Sequence, residues 1–522
     1  MSTTSDRIIK YNPATLELVG ELNRTSPDDI SLIIQDAKMA QAEWIARPLK
    51  ERIGILKRLQ KHVVLNVDNI VRVICEETGK PRVEAMNADI MSALSATMYS
   101  IEMMPSLFQP KNISFGKLSP MMKYLGRRSY IQPRPLGVIV IISPWNYPYG
   151  IPFSQAVMAI AAGNSVVLKP SSATPFSGLE VQNAFVTAGV PEHLIQVVLG
   201  SGGSVGNALT SSAIDRIIFT GSTEVGKKIM ADAANRLTPV TMELGGKDPM
   251  IVMADADLHR AAEAAAWGCY VNAGQTCACI KRIYVHDEVY NLFLDLFRDN
   301  VSRIKLGYGL NDPEIGMGPL IDEDAVDEMK VHVSRAVEQG GKILFGGQYL
   351  EVKGYFFEPT AIIDLPHSSD IVQKEIFGPI VTIHKFQSVE EAISMANDSV
   401  YALSGSVWTS DLAMGKMIAE RLTGGTINVN NVGYTYGLAS TPWGGRGDSG
   451  FGHTHGIEGF SELLESHHVH VDRGKFSREL WWHPYGRENL ELSHGLLNMI
   501  FGGQYSRTMT LLPRMRRWLK GR

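Results

Sequence analysis

From residue 137 onward, short runs of uninterrupted apolar and β-branched residues recur at 138–142, 165–168, 196–199, 216–219 and 240–242, with helix-compatible stretches between them. Strands buried on both faces read as continuous apolar runs, so the pattern predicts a parallel sheet covered by helices on either side. Ligands of such sheets sit beyond the carboxyl ends of the strands. The pattern restarts at 280–285, followed by a helix predicted from the three-to-four-residue spacing of Tyr290, Phe293, Phe297, Val301 and Ile304. A second α/β domain is therefore expected, ending near residue 450. Residues 1–110 read as mainly helical.

A chain of 522 residues exceeds what one hydrophobic core serves, which agrees with two or more domains. The formal charge is -4, but residues 477–522 hold eight Lys/Arg against three Asp/Glu, and removing that +5 leaves the remainder at -9. A body of that sign has no electrostatic footprint for nucleic acid. Residues 135–168 lack any charge, yet Pro144, Pro148, Pro152, Asn146 and Asn164 interrupt them, which argues against a membrane span. Four cysteines, three of them in 269–279, are no disulfide framework, and no second Cys/His element completes a zinc site, so no metal is expected. The first seven residues lack the basic start and apolar core of a secretory signal, which sets the expected location in the cytoplasm.

Candidate chemistry centres on Asn272-Ala273-Gly274-Gln275-Thr276-Cys277-Ala278-Cys279, which lies 34 positions after the carboxylate in Glu243-Leu244-Gly245-Gly246-Lys247. A cysteine is an effective nucleophile only as thiolate, and small residues before it allow a tight loop that presents the thiol. Both runs, in this order and spacing, resemble the active-site signatures of the aldehyde dehydrogenase superfamily. The resemblance covers about residues 24–471. It implies an α/β fold of two doubly wound domains, with 1–113 and 135–244 binding cofactor, 245–450 catalytic, 114–134 and 451–475 an oligomerisation arm of extended segments, and 476–522 a tail of its own. It implies Cys277 as nucleophile, Glu243 as the base that activates water against a thioester, and Asn146 of Ser143-Pro144-Trp145-Asn146-Tyr147-Pro148 as oxyanion donor. For an NAD or NADP cofactor it implies Ser222 on the pyrophosphate, Lys169 on the adenine ribose, Glu375 on the nicotinamide ribose, Trp145 and Phe377 as flanking rings, and Gly202, Gly221 and Gly245 as close-approach positions. The partners implied are a small-molecule aldehyde and further copies of the chain in a homodimer or homotetramer. Cys279 reads as a structural neighbour, or as a disulfide partner that silences Cys277.

Departures from the family pattern narrow the expectation. Ser172 stands where many NAD-preferring relatives carry glutamate, which removes the repulsion of a 2'-phosphate and makes NADP a credible cofactor. Relatives acting on succinic semialdehyde place arginines at the positions of Ser154 and Val271, so a large hydrophobic aldehyde is expected here, with Met98, Met103 and Met104 as adaptable walls. Gly447 replaces a common lysine. The tail combines Trp481, Trp482 and Trp518 with six basic residues after Gln504, a composition suited to an anionic membrane surface without spanning, and equally to a cover over a subunit interface. Two rival functions remain at this point. One is a coenzyme A-acylating enzyme, disfavoured because such relatives generally lack the glutamate. The other is a membrane-peripheral protein of this fold without turnover.

Overall fold

The computed structural model describes residues 7–502 and 512–521, and it divides into a larger unit, Met1–Pro105 with Pro135–Leu464, and a smaller one, Ser106–Arg134 with Glu465–Arg522. The larger unit holds two sheets. In the first, the strands run in the order Gly450–Phe451, Val240–Glu243, Arg216–Thr220, Val138–Ile142, Ser165–Lys169 and Ile195–Val197. All pairings are parallel except that of Gly450–Phe451. Every residue of Val138–Ile142 is buried, as its apolar run requires of a central strand. Chain order reverses on either side of it, and a crevice forms at such a switch point.

The second sheet has seven strands in the order Lys342–Phe345, Thr360–Ile363, Ile380–Phe386, Ile280–His286, Asp248–Val252, Ser404–Trp408 and Thr426–Val429, parallel apart from the first. Helix Tyr290–Ser302 buries Tyr290, Phe293, Phe297 and Val301, the stripe expected from their spacing; Ile304 lies just beyond its end. The helices Ile30–Ala46, Leu49–Leu65, Val67–Thr78 and Met91–Leu107 make the N-terminal region mainly helical, after a hairpin of Arg7–Tyr11 and Leu18–Asn23.

Residues 451–464, read with the arm from sequence, lie in the larger unit: Phe451 pairs with Met242, and helix Gly456–Glu462 buries Phe460 completely. The smaller unit has a three-stranded sheet of Leu464–Asp472, Arg127–Pro135 and Lys111–Asn112. Residues 121–125, expected to be extended, belong to helix Ser119–Leu125, which ends at the left-handed Gly126. The tail adds helices Arg487–Ile500 and Leu512–Leu519, and a core forms from Leu125, Leu480, Leu492, Trp518 and Leu519. Trp518 is therefore interior, not surface as the tail's composition suggested. On its helix it falls three residues after Met515, which packs against the same core.

Candidate active site

Strand ends deliver most of the candidate residues. Glu243 closes its strand opposite Thr220, and its backbone carbonyl accepts the Gly221 N–H at 3.0 Å. The Trp443 indole hydrogen-bonds the Glu243 carboxyl, whose Oε1 is buried with no protein partner. Burial pushes the carboxyl well above the usual range, because its charged form is poorly solvated there.

Helix Leu258–Tyr270 leads into a sharp turn in which Asn272, Ala273 and Gly274 are all left-handed, with φ of 54°, 55° and 69°. For the two non-glycine residues this costs on the order of 1–2 kcal/mol each, and it persists only where neighbours enforce it. The Glu84 carboxylate accepts the Asn272 N–H at 3.1 Å. Gln275 donates to Asn272 O at 2.9 Å and accepts the Ile321 N–H at 2.9 Å, while Lys281 Nζ donates to Gly274 O at 2.8 Å and Gly378 O at 2.5 Å. Cys277 leaves this loop partly exposed. Burial of the sulfur, then the carboxyls of Glu243, Asp248 and Glu375, push its thiol up.

Asn146 meets the same loop. Its Nδ2 donates to Gln275 O at 2.9 Å, which occupies one of its two N–H bonds. Its own carbonyl is held by Lys80 Nζ at 2.6 Å and Asn272 Nδ2 at 3.1 Å. The same Lys80 Nζ pairs with Asp89 at 3.1 Å, both side chains fully buried, and Asp89 accepts the N–H groups of Tyr149 and Gly150 that open helix Gly150–Ala161. Tyr147 bonds Thr276 through their hydroxyls at 2.7 Å, with Lys80 Nζ 4.2 Å above its ring. Sequence reasoning missed Lys80, Glu84 and Asp89 because buried charges look like surface charges in a string of letters. The available signal was Gly79-Lys80-Pro81, a helix break with acids four and nine positions after the lysine.

The cofactor candidates gather on adjoining loops. Trp145 and Phe377 meet edge to face with centroids 5.5 Å apart. Glu375 accepts the Gly246 N–H at 3.1 Å. A side chain on Gly246 would strike the Cys277 carbonyl, so close backbone approach explains that glycine, whereas one on Gly245 would meet the movable end of the Glu375 side chain. Ser222 caps helix Thr223–Ala234, accepting Val225 N–H at 3.4 Å. Gly221 lies against the Phe219 ring, whereas Gly202 has open space around it. Ser172 donates to Gly200 O at 3.2 Å. Lys169 is buried and finds no hydrogen-bond partner for its amino group among the described residues, and burial lowers its pKa to about 8. A buried amine, a helix N-terminus and an aromatic pair together fit a dinucleotide carrying phosphates.

Other expectations need correction. Ser154 and Val271, which the family resemblance places on the substrate tunnel, are 0% and 8% exposed, and the Ser154 hydroxyl is buried without a hydrogen-bond partner. Met98 is exposed and Met104 buried. At 100° per residue, Met103 and Met104 point roughly 140° and roughly 120° away from Met98 and about 100° from each other, so Met98 does not share a wall with the other two. The Cys279 thiol donates to Gly268 O and Cys269 O at 2.9 and 3.1 Å, which satisfies it structurally and lends no support to pairing with Cys277. Gly447 gains an explanation: its φ is 60° and a Cβ there would lie 2.7 Å from Val400 O, so a lysine would be strained.

The profile of the aldehyde dehydrogenase family matches residues 1–469, and this chain belongs to that family. It is 37% identical over 458 residues to a glutarate-semialdehyde dehydrogenase of Pseudomonas aeruginosa, covering 87% of this chain and 92% of the relative. It is 36% identical over the same length and coverage to the NADP-dependent succinate-semialdehyde dehydrogenase of Escherichia coli. A solved structure of betaine aldehyde dehydrogenase from Staphylococcus aureus in complex with NAD+ superposes with a TM-score of 0.86 at 31% identity, covering 92% of this chain and 97% of the other. The protein is an NAD(P)+-dependent aldehyde oxidoreductase with the aldehyde dehydrogenase fold.

Proposed function

We propose that the enzyme oxidises an aldehyde to the carboxylic acid through a thioester on Cys277, hydrolysed with Glu243 as general base. The observation that carries this is the Asn146 amide, anchored on the carbonyl of Gln275 two residues before the thiol, with one N–H unspent. Cys277 sulfur adds to the aldehyde carbon, and the proton of the thiol leaves toward Glu243 or solvent. The oxyanion so formed rests against the free Asn146 N–H, an interaction worth ~3 kcal/mol in comparable acyl-transfer sites. Bound NAD(P)+ supplies the hydride acceptor. Glu243 Oε1 then takes a proton from water as the water attacks the thioester, and the acid departs as sulfur recovers its proton. Lys80 and Glu84 hold the two loops in register throughout.

The substrate we infer is a bulky or hydrophobic aldehyde without a distal carboxylate, because Ser154 and Val271 offer no positive charge where the family's dianion-binding arginines would stand. The relatives named for succinate and glutarate semialdehydes give the second reading, a semialdehyde bound by groups elsewhere. The buried Lys169 amine, with serine in place of a carboxylate at Ser172, supports NADP over NAD. The four free cysteines accord with a reducing compartment such as the cytoplasm, a homo-oligomer accords with the family, and the basic tail accords with work at an anionic surface. Turnover of an aldehyde panel with NAD and with NADP, with and without coenzyme A, tests the proposal. Acid and reduced cofactor should form in equal amounts without coenzyme A, fastest with apolar aldehydes. An absolute need for coenzyme A would remove Glu243 from its role, and a preference for succinic semialdehyde would remove the substrate assignment.

A further inference from the structure

The smaller unit carries a surface that aldehyde oxidation does not use. Helix Arg487–Ile500 buries Asn489, Leu492 and Gly495, yet its opposite side exposes Leu490 (69%) and Leu497 (56%), followed by Phe501 (77%). Trp481 and Tyr485, 59% and 62% exposed, line the same shallow groove of about 600 Å³ as these three residues. Trp482 is exposed beside them in sequence. Large apolar side chains rarely cluster on a surface without a partner. A second, adjoining cavity shares Leu480, Trp481 and Leu496 with the groove and is lined also by Arg516 and Arg517, which places cations at the edge of the apolar patch.

Charge complementarity identifies the occupant. The tail from residue 477 has only three carboxylates, and all are engaged: Glu479 by Arg127, and Glu488 and Glu491 by Arg514 at 3.2 and 2.9 Å. The charges of Arg487, Arg516, Arg517 and Lys520 are thus left unanswered by any acid of the tail. Indole and phenol rings, exposed Leu and Phe, and surplus cations on one unit match the interfacial layer of a bilayer, where rings sit among headgroups and Arg or Lys meets lipid phosphate. No helix among the described residues is long and apolar enough to cross a membrane. We propose that this unit docks peripherally on an anionic bilayer, with Trp481, Trp482, Leu490, Leu497 and Phe501 entering the interface and Arg516 and Arg517 on its headgroups. This assigns the expected role of the tail to particular residues and does not depend on the chemistry of Cys277.

Co-sedimentation of the full-length protein with phosphatidylcholine vesicles, with and without phosphatidylglycerol, tests it, alongside sedimentation velocity and NADP reduction with a short-chain aldehyde. Wild-type protein should bind only the anionic vesicles, and less at high salt. Changing Arg516→Ala and Arg517→Ala together should lower the partition coefficient about thirtyfold, from ~1 kcal/mol per charge. Changing Trp482→Ser and Phe501→Ser together should lower it at least tenfold even at low salt, while aldehyde turnover stays within about twofold for both variants. Equal vesicle binding by wild type and variants would overturn the proposal, as would no binding by wild type. Smaller assemblies in the Trp482 and Phe501 variant, with no vesicle binding by wild type, would give the patch to a second copy of the chain. Absence of turnover in wild type would count against the enzymatic reading and leave the vesicle result standing.

Discussion

The two units differ in which difficult side chains they gather: fully buried cations in the larger, exposed aromatic rings in the smaller. The larger unit hides charges: Lys80, Asp89, Lys247, Lys281 and Arg282 are all at or below 2% exposure, and Lys80, Lys247, Lys281 and Arg282 each donate to backbone carbonyls. The smaller unit exposes apolar bulk, with Trp481, Trp482, Tyr485 and Phe501 more than half open. A buried charge costs several kcal/mol unless fully bonded, so it is kept where it fixes geometry that nothing cheaper can fix. An exposed ring costs much less by itself, and its meaning lies in what it will touch. Position rather than stability is the theme of the first unit, and contact that of the second.

Perturbing each side sharpens the contrast. The largest effect should come from Cys277→Ala, with aldehyde oxidation down by at least ~10⁴-fold and NADPH binding, read by fluorescence quenching, unchanged. Residual turnover near wild type would move the nucleophile elsewhere. Glu243→Gln should give one equivalent of reduced cofactor per site in a rapid burst, then steady turnover reduced by ~10²–10⁴-fold. In wild type the raised Glu243 carboxyl is the base only above its folded pKa, so steady-state turnover should fail on the acid side well above the ordinary carboxylate range. A rate that holds down to the ordinary carboxylate range would contradict this.

Lys80→Met should leave Asp89 buried and unpaired, at a cost of about 3–5 kcal/mol in urea unfolding. Lys80→Arg would report whether charge alone suffices. For Lys169, a bound 2'-phosphate should restore the proton that burial weakens. NADP affinity should then be full below pH 8 and fall by up to tenfold per pH unit above it, in calorimetric titrations where NAD serves as the control. The smallest effect should be that of Trp482→Ser on folding, within about 0.5 kcal/mol, because its ring is already 56% exposed. A large loss there would mean that the smaller unit needs the ring for its own packing.

Strands and linear motifs were the legible part of this molecule. A central strand such as Val138–Ile142 is written as its own apolar run, and Trp145, Asn146, Glu243 and Cys277 stand in motifs whose neighbours are neighbours in sequence. What escaped was set by contacts across the fold. Glu84 reaches Asn272 over 188 positions, and Lys80 reaches Asn146 over 66. No local pattern encodes either bond. The three methionines misled for the reverse reason, since closeness in sequence on a helix does not mean a common face. Trp518 was misplaced because composition registers a tryptophan without saying which way its helix turns.

Lys281 has one further consequence. Its ammonium grips the carbonyl of Gly274, three residues before the thiol, and that of Gly378, the residue after Phe377. The loop that carries Cys277 and the loop that carries Glu375 and Phe377 thus share one cation, and loss of the Lys281 ammonium would leave both carbonyls short of a donor at once.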